Sequence, residues 1–87
     1  MMNNNPLEVI IMERFTRISH DIDIMGGKAC ISGTRVTVSM ILTRISDGKT
    51  IEELIDEYPY ITRDDIEEAL MYAAWAVEAR EVVIASA

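Results

Sequence analysis

The sequence predicts a mainly helical domain, with three short helices over residues 37–80 in a helix-turn-helix arrangement and a small N-terminal β element before them. Three observations predict it. Val38, Ile41, Leu42 and Ile45 recur at i, i+3, i+4 and i+7, the apolar stripe of an amphipathic helix. Thr50 and Thr62 each stand three residues before a carboxylate, Glu53 and Asp65, that can complete a helix cap. The link Tyr58-Pro59-Tyr60-Ile61 is so short that the helices it joins must cross at a steep angle.

Each element follows in order. Residues 1–13 form an N-terminal segment whose first six residues read as a frayed tail. Leu7, Val9, Ile10, Ile11 and Met12 make an apolar run compatible with a strand or a short helix, since periodicity does not arbitrate at this length. A single domain then occupies residues 14–80. Met25-Gly26-Gly27-Lys28 is a turn, because paired glycines reach positive φ without steric cost. Arg17-Ile18-Ser19 and Ala29-Cys30-Ile31 flank it as short strands, and Ser32-Gly33 closes the element. Thr37 caps the first helix and Gly48 stops it. The second helix starts at Thr50 with the apolar face Ile51, Leu54 and Ile55, and Pro59 ends it. The third starts after Thr62, carries the stripe Ile66, Ala69, Leu70, Ala73, Ala74 and Val77, and runs to about Arg80. Residues 81–87 are an apolar tail that either folds back or docks on a partner.

Eighty-seven residues make one domain, and 49% apolar composition is that of a globular chain. No apolar run approaches the roughly 20 residues that cross a bilayer. Met1-Met2-Asn3-Asn4-Asn5-Pro6 lacks the basic start of a secretory signal, so the expected location is cytoplasmic, away from the membrane. Cys30 is the single cysteine, which forms no internal disulfide and reads as a buried structural thiol.

Charge is divided unevenly. Residues 1–49 carry six Lys/Arg against five Asp/Glu, and residues 50–87 carry two against ten, a net of +1 and of −8 that together make the −7 of the chain. An acidic half repels phosphate and favours basic protein partners. The third helix sharpens the point. Its early positions Thr62, Arg63, Asp64, Asp65, Glu67 and Glu68 are those that would face base edges in a DNA complex, and only Arg63 suits guanine. The carboxylates there also suit a helix start without any function. Candidate nucleic-acid contacts are therefore Lys28, Arg35, Arg44 and Lys49 of the first half, with Thr62 and Arg63. The basic residues of the first half either form a modest positive patch or pair with nearby carboxylates.

Candidate protein contacts are Met71, Tyr72 and Trp75, which lie off the helix stripe, with Val82, Val83 and Ile84 of the tail. That aromatic face packs on the N-terminal segment, on a second copy of the chain or on another protein, and a homodimer is the first expectation. Catalysis is not expected. His20 is the single histidine, and His20-Asp21-Ile22-Asp23 offers a metal too few convergent ligands. No nucleophile has a base at recognisable spacing and no glycine-rich phosphate loop is present, so neither cofactor nor metal is expected.

The string from Gly26 to Val38, Gly-Gly-Lys-Ala-Cys-Ile-Ser-Gly-Thr-Arg-Val-Thr-Val, is followed by Asp47-Gly48-Lys49-Thr50-Ile51-Glu52-Glu53 and by Tyr58-Pro59-Tyr60-Ile61-Thr62-Arg63-Asp64-Asp65-Ile66. These residues resemble the prokaryotic domain-of-unknown-function family 433 over about residues 14–78. Two departures, Ala29 and Thr37 where the family commonly has proline, suit a strand end and a helix cap. The resemblance implies a homeodomain-like helical core and the role of antitoxin in a type II toxin–antitoxin pair. Such a protein would bind a PIN-like ribonuclease directly and repress its own operon. The second and third helices also look like the helix-turn-helix of resolvases, which carry polar and basic residues where Asp64, Asp65, Glu67 and Glu68 stand. The alternatives are a homodimeric DNA-binding regulator without a toxin, and a structural protein-interaction dimer.

Overall fold

The computed structural model describes Val9 and residues 13–86. Conformational expectations for Leu7, Ile10, Ile11 and Met12 therefore lie outside the described residues. Strand β1 (Ile18–Ser19) pairs antiparallel with β2 (Cys30–Ile31), in the register Ile18 to Ile31 and Ser19 to Cys30. The expected turn lies between them. Residues Met25–Gly27 form one 3-10 turn in which Gly26 and Gly27 hold φ of 68° and 86°, values open to glycine at no steric cost.

Beyond β2 the chain reverses at Gly33. Thr34 Oγ1 donates to the Ile31 carbonyl at 2.8 Å and accepts from the Val36 N–H at 3.0 Å, fixing the reversal. Ile31 then donates to the Val36 carbonyl and Val38 to that of Ala29, both at 2.9 Å, so the returning chain leans on β2. Thr37 ends this ribbon and begins the helices. Its side chain is buried, and its Oγ1 accepts from the Met40 N–H at 3.0 Å.

Helix α1 (Val38–Ser46) stops at Gly48, whose φ is +95°. Helix α2 (Ile51–Glu57) opens on the full capping box. The Glu53 N–H donates to Thr50 Oγ1 at 3.1 Å and the Thr50 N–H donates to Glu53 Oε1 at 2.8 Å. Helix α3 (Arg63–Ser86) opens on the same device, built from Thr62 and Asp65. Its end differs from the expectation of about Arg80. No glycine or proline follows Pro59, so nothing in the backbone breaks the helix before Ser86.

Helices α1 and α2 both pack on α3, with Ile41, Leu54, Ile61, Ile66 and Ala69 at the centre of one core. Fully burying side chains of this size stabilises the fold by about 1.5–3 kcal/mol each. Phe15, Ile18, Ile31 and Val36 extend that core under the ribbon. The expected stripe of α3 holds as far as Ala73 and then fails, since Ala74 is exposed and Val77 is 58% exposed. The cause is length. Nine residues of α1 span about 14 Å, whereas 24 residues of α3 span about 36 Å. The long helix outruns its partners, and its half-buried side there is Tyr72 and Trp75, supplied with a neighbour by Phe15.

Candidate functional site

Three surfaces carry the candidate residues. The first is the start of α3. Thr62 is spent as a cap, and Arg63 pairs with Glu52 of α2 and lies 3.8 Å from Glu67 one turn on. Arg17 closes over the same turns from the ribbon. Its Nη1 donates to Asp65 Oδ1 at 3.1 Å, its Nη2 lies 3.7 Å from Asp64 Oδ2, and its backbone N–H donates to Glu68 Oε2 at 2.6 Å. Asp65 therefore serves the cap and Arg17 together. What remains turned to solvent is acidic: the side chains of Asp64, Glu52 and Glu67 are 72%, 69% and 53% exposed. The one arginine suited to a base edge sits between two carboxylates.

The second surface carries the basic residues of the first half, which the structure distributes along α1 and the loop before it. Arg44 pairs with Glu57, and a hydrogen bond with Tyr58, then the Glu57 charge, raise its pKa further above the ordinary value. Lys28 adjoins Ala29, whose carbonyl accepts from Val38 at the start of α1, while Lys49 lies past the far end of that helix. Arg35 is exposed on the loop before Val36. Its charge partly offsets the burial that pushes the Cys30 thiol up, and Cys30 is buried as expected. Among the described residues Lys28, Arg35 and Lys49 form no ion pair, and Lys28 and Lys49 stand at opposite ends of α1.

The third surface is the aromatic side of α3. Tyr72 meets the Phe15 ring edge-on at 5.3 Å and Trp75 lies 5.8 Å from it, so a residue at the start of the domain itself, just after the N-terminal segment, packs on this aromatic face. Tyr72 Oη also hydrogen-bonds His20 Nε2 at 3.0 Å, and burial pushes the phenol pKa up. Both aromatics are half-buried, whereas Met71 remains 63% exposed. Val82, Val83 and Ile84 lie on the last turns of α3. Beside this surface a groove of about 390 Å³ opens between α1 and α3. Its walls include Val38, Leu42, Ala73, Ala76 and Val77, and Lys28 is the one charged residue lining it among the described residues. Sequence periodicity marked Leu42 and Val77 as core, and both instead stand at this opening.

Arg17 and Phe15 were not candidates from the sequence. Their partners lie about fifty residues away along the chain, beyond any local spacing rule.

The family model described as "Protein of unknown function (DUF433)" matches residues 18–73, from β1 to the middle of α3. Among solved structures, the chain resembles the crystal structure of a DUF433 member protein from Anabaena variabilis ATCC 29413. The two share 28% identity with a TM-score of 0.69, over 91% of this chain and 77% of that one. A search of the curated proteins returns no match.

Proposed function

The chain belongs to the DUF433 family, and from that premise we propose that it is the antitoxin of a type II toxin–antitoxin pair, which neutralises a PIN-like ribonuclease by direct contact. The observation that carries this reading is the acidic surface of α2 and the start of α3. There Glu52, Asp64 and Glu67 face solvent while Arg17 and Arg63 are already engaged. A ribonuclease gathers phosphates in a basic groove, and a protein surface of opposite charge can occupy that groove and exclude RNA. The contact is electrostatic at its rim, so it forms fast and weakens with salt.

Co-expression with the product of the adjacent gene tests the reading. A nuclease that co-purifies with this chain and loses its RNA cleavage supports it. A neighbour that is no nuclease, or a nuclease that does not co-purify, rejects it. Repression of its own operon is a second, separable role, favoured by the exposed Lys28, Arg35 and Lys49, which are without ion pairs among the described residues. Operator binding that falls steeply with salt and weakens in Arg35→Ala would support that role. Absence of sequence-specific retardation at low salt would remove it.

A further inference from the structure

Asp47 and Gly48 join the stop of α1 to chemistry that the backbone itself can carry out. Asp47 is the one aspartate in the chain followed by glycine, and no asparagine is so followed. Both residues are exposed. Apart from its sequence neighbours, no described residue comes within 4 Å of where a Cβ on Gly48 would stand. An amide nitrogen that follows an aspartate can attack the side-chain Cγ, and glycine, having no side chain, leaves that nitrogen unshielded. As the N–Cγ bond forms, the amide proton passes to solvent base, a carboxyl oxygen departs as water, and a cyclic imide closes. Water then reopens the ring. Where it splits the former main-chain carbonyl, the chain runs on through Cγ as isoaspartate. No oxidant and no reactant other than water takes part.

The folded geometry opposes both requirements of that attack. The Gly48 N–H donates to the Ile45 carbonyl at 2.9 Å and the Lys49 N–H to that of Arg44 at 3.1 Å, the paired bonds of a Schellman stop. Asp47 holds ψ at 3°, which sets the Gly48 nitrogen in line with Asp47's own nitrogen and away from its Cβ. Ring closure needs the Gly48 N–H free and a rotation about that ψ to bring its nitrogen alongside Cβ. We propose that Asp47 is a site of spontaneous isoaspartate formation gated by the stop of α1, closed in the folded chain and open when the stop unwinds. Unwinding of one helix stop is a local event, which costs less than global unfolding. Isoaspartate lengthens the backbone between α1 and α2 by one methylene, so the Gly48 and Lys49 N–H groups lose their places on Ile45 and Arg44. The modification thus records, one way, how often this junction has opened. It concerns the chain alone, and its outcome is separate from that of the ribonuclease contact.

Ageing of the full chain at neutral pH, with and without a denaturing concentration of urea, tests it. Isoaspartate is counted by isoaspartyl methyltransferase labelling and located by peptide mapping. Position 47 should convert at least about tenfold faster in urea, where the stop is open throughout. Asp47→Asn closes the same imide with loss of ammonia, and its gain in mass on deamidation should show the same dependence on urea. Asp47→Glu keeps the charge but does not close this ring, and should give no signal at the position. The modified chain, separated from the unmodified one, should unfold at a lower urea concentration. Equal rates with and without urea overturn the gating, and absence of isoaspartate at position 47 in urea overturns the site. Equal urea midpoints of the modified and unmodified chains overturn the loss of the stop. If Asp47→Asn fails to fold, the two wild-type rates decide the matter by themselves.

Discussion

The two halves of α3 are one continuous helix under two regimes. From Arg63 to Ala73 it is held along one face and at its start: Ile66 and Ala69 are fully buried, the cap closes on Asp65, and Arg17 and Arg63 pair with its carboxylates. From Ala74 onward it runs out past α1 and α2, with Ala74 and Val77 turned to solvent. The difference teaches that one helix can be core in its first half and leave apolar side chains at the surface in its second. Where a residue falls along α3, rather than its hydrophobicity, decides what its loss should cost. Val77 and Ile66 are both apolar and on one expected stripe, yet only one of them is core.

The largest effect should come from Phe15→Ala. Phe15 is 2% exposed and is the ring on which Tyr72 and Trp75 rest at the junction of the two halves. Chemical denaturation should show a loss of about 3–5 kcal/mol. Ile66→Ala should follow, at about 2–5 kcal/mol for a fully buried isoleucine in the held half. Thr50→Ala removes half of a capping box and should cost about 1 kcal/mol. Arg17→Ala should cost less than about 1 kcal/mol, since its pairs with Asp64 and Asp65 are partly exposed. Val77→Ala should change the stability of the monomer least, by under about 0.5 kcal/mol. A Val77→Ala loss as large as that of Ile66→Ala would erase the distinction between the two halves.

A pH series sharpens the account of the caps. The backbone hydrogen bond from Thr50 holds the Glu53 carboxyl below its ordinary value of 4.5. A lowered folded pKa stabilises the protein above the ordinary value, and that contribution is lost as pH falls through the lowered one. The stability difference between the wild-type chain and Glu53→Ala should therefore be present at neutral pH and shrink on acidification below about 4.5. A difference that stays constant across that range would mean that the carboxylate charge plays no part in the cap.

What was legible in the sequence was local. The caps at Thr37, Thr50 and Thr62, the glycine turn and the stop at Gly48 each depend on residues within four positions, and each stands where its spacing predicts. Contacts made across the chain were not legible. Arg17 reaches Asp65 across 48 positions, and Phe15 meets Tyr72 across a similar span, so only the tertiary fold reveals them. Helix α3 runs past the expected end because Arg80 ends an apolar pattern without ending the helix, and no breaker follows it. The candidate site divided along the same line. The acidic excess was visible in composition, but the engagement of Arg63 by Glu52 and Glu67 needed the fold.

The central claim is that the acidic surface of α2 and the start of α3 binds a basic protein. Titration of the purified chain against the product of the adjacent gene tests this most directly, comparing wild type with a Glu52→Lys, Asp64→Lys, Glu67→Lys variant at low and high salt. The account predicts tight binding by the wild-type chain and at least about a tenfold loss in the variant, narrowing as salt screens the contact. Equal affinity of the two chains at low salt would contradict it.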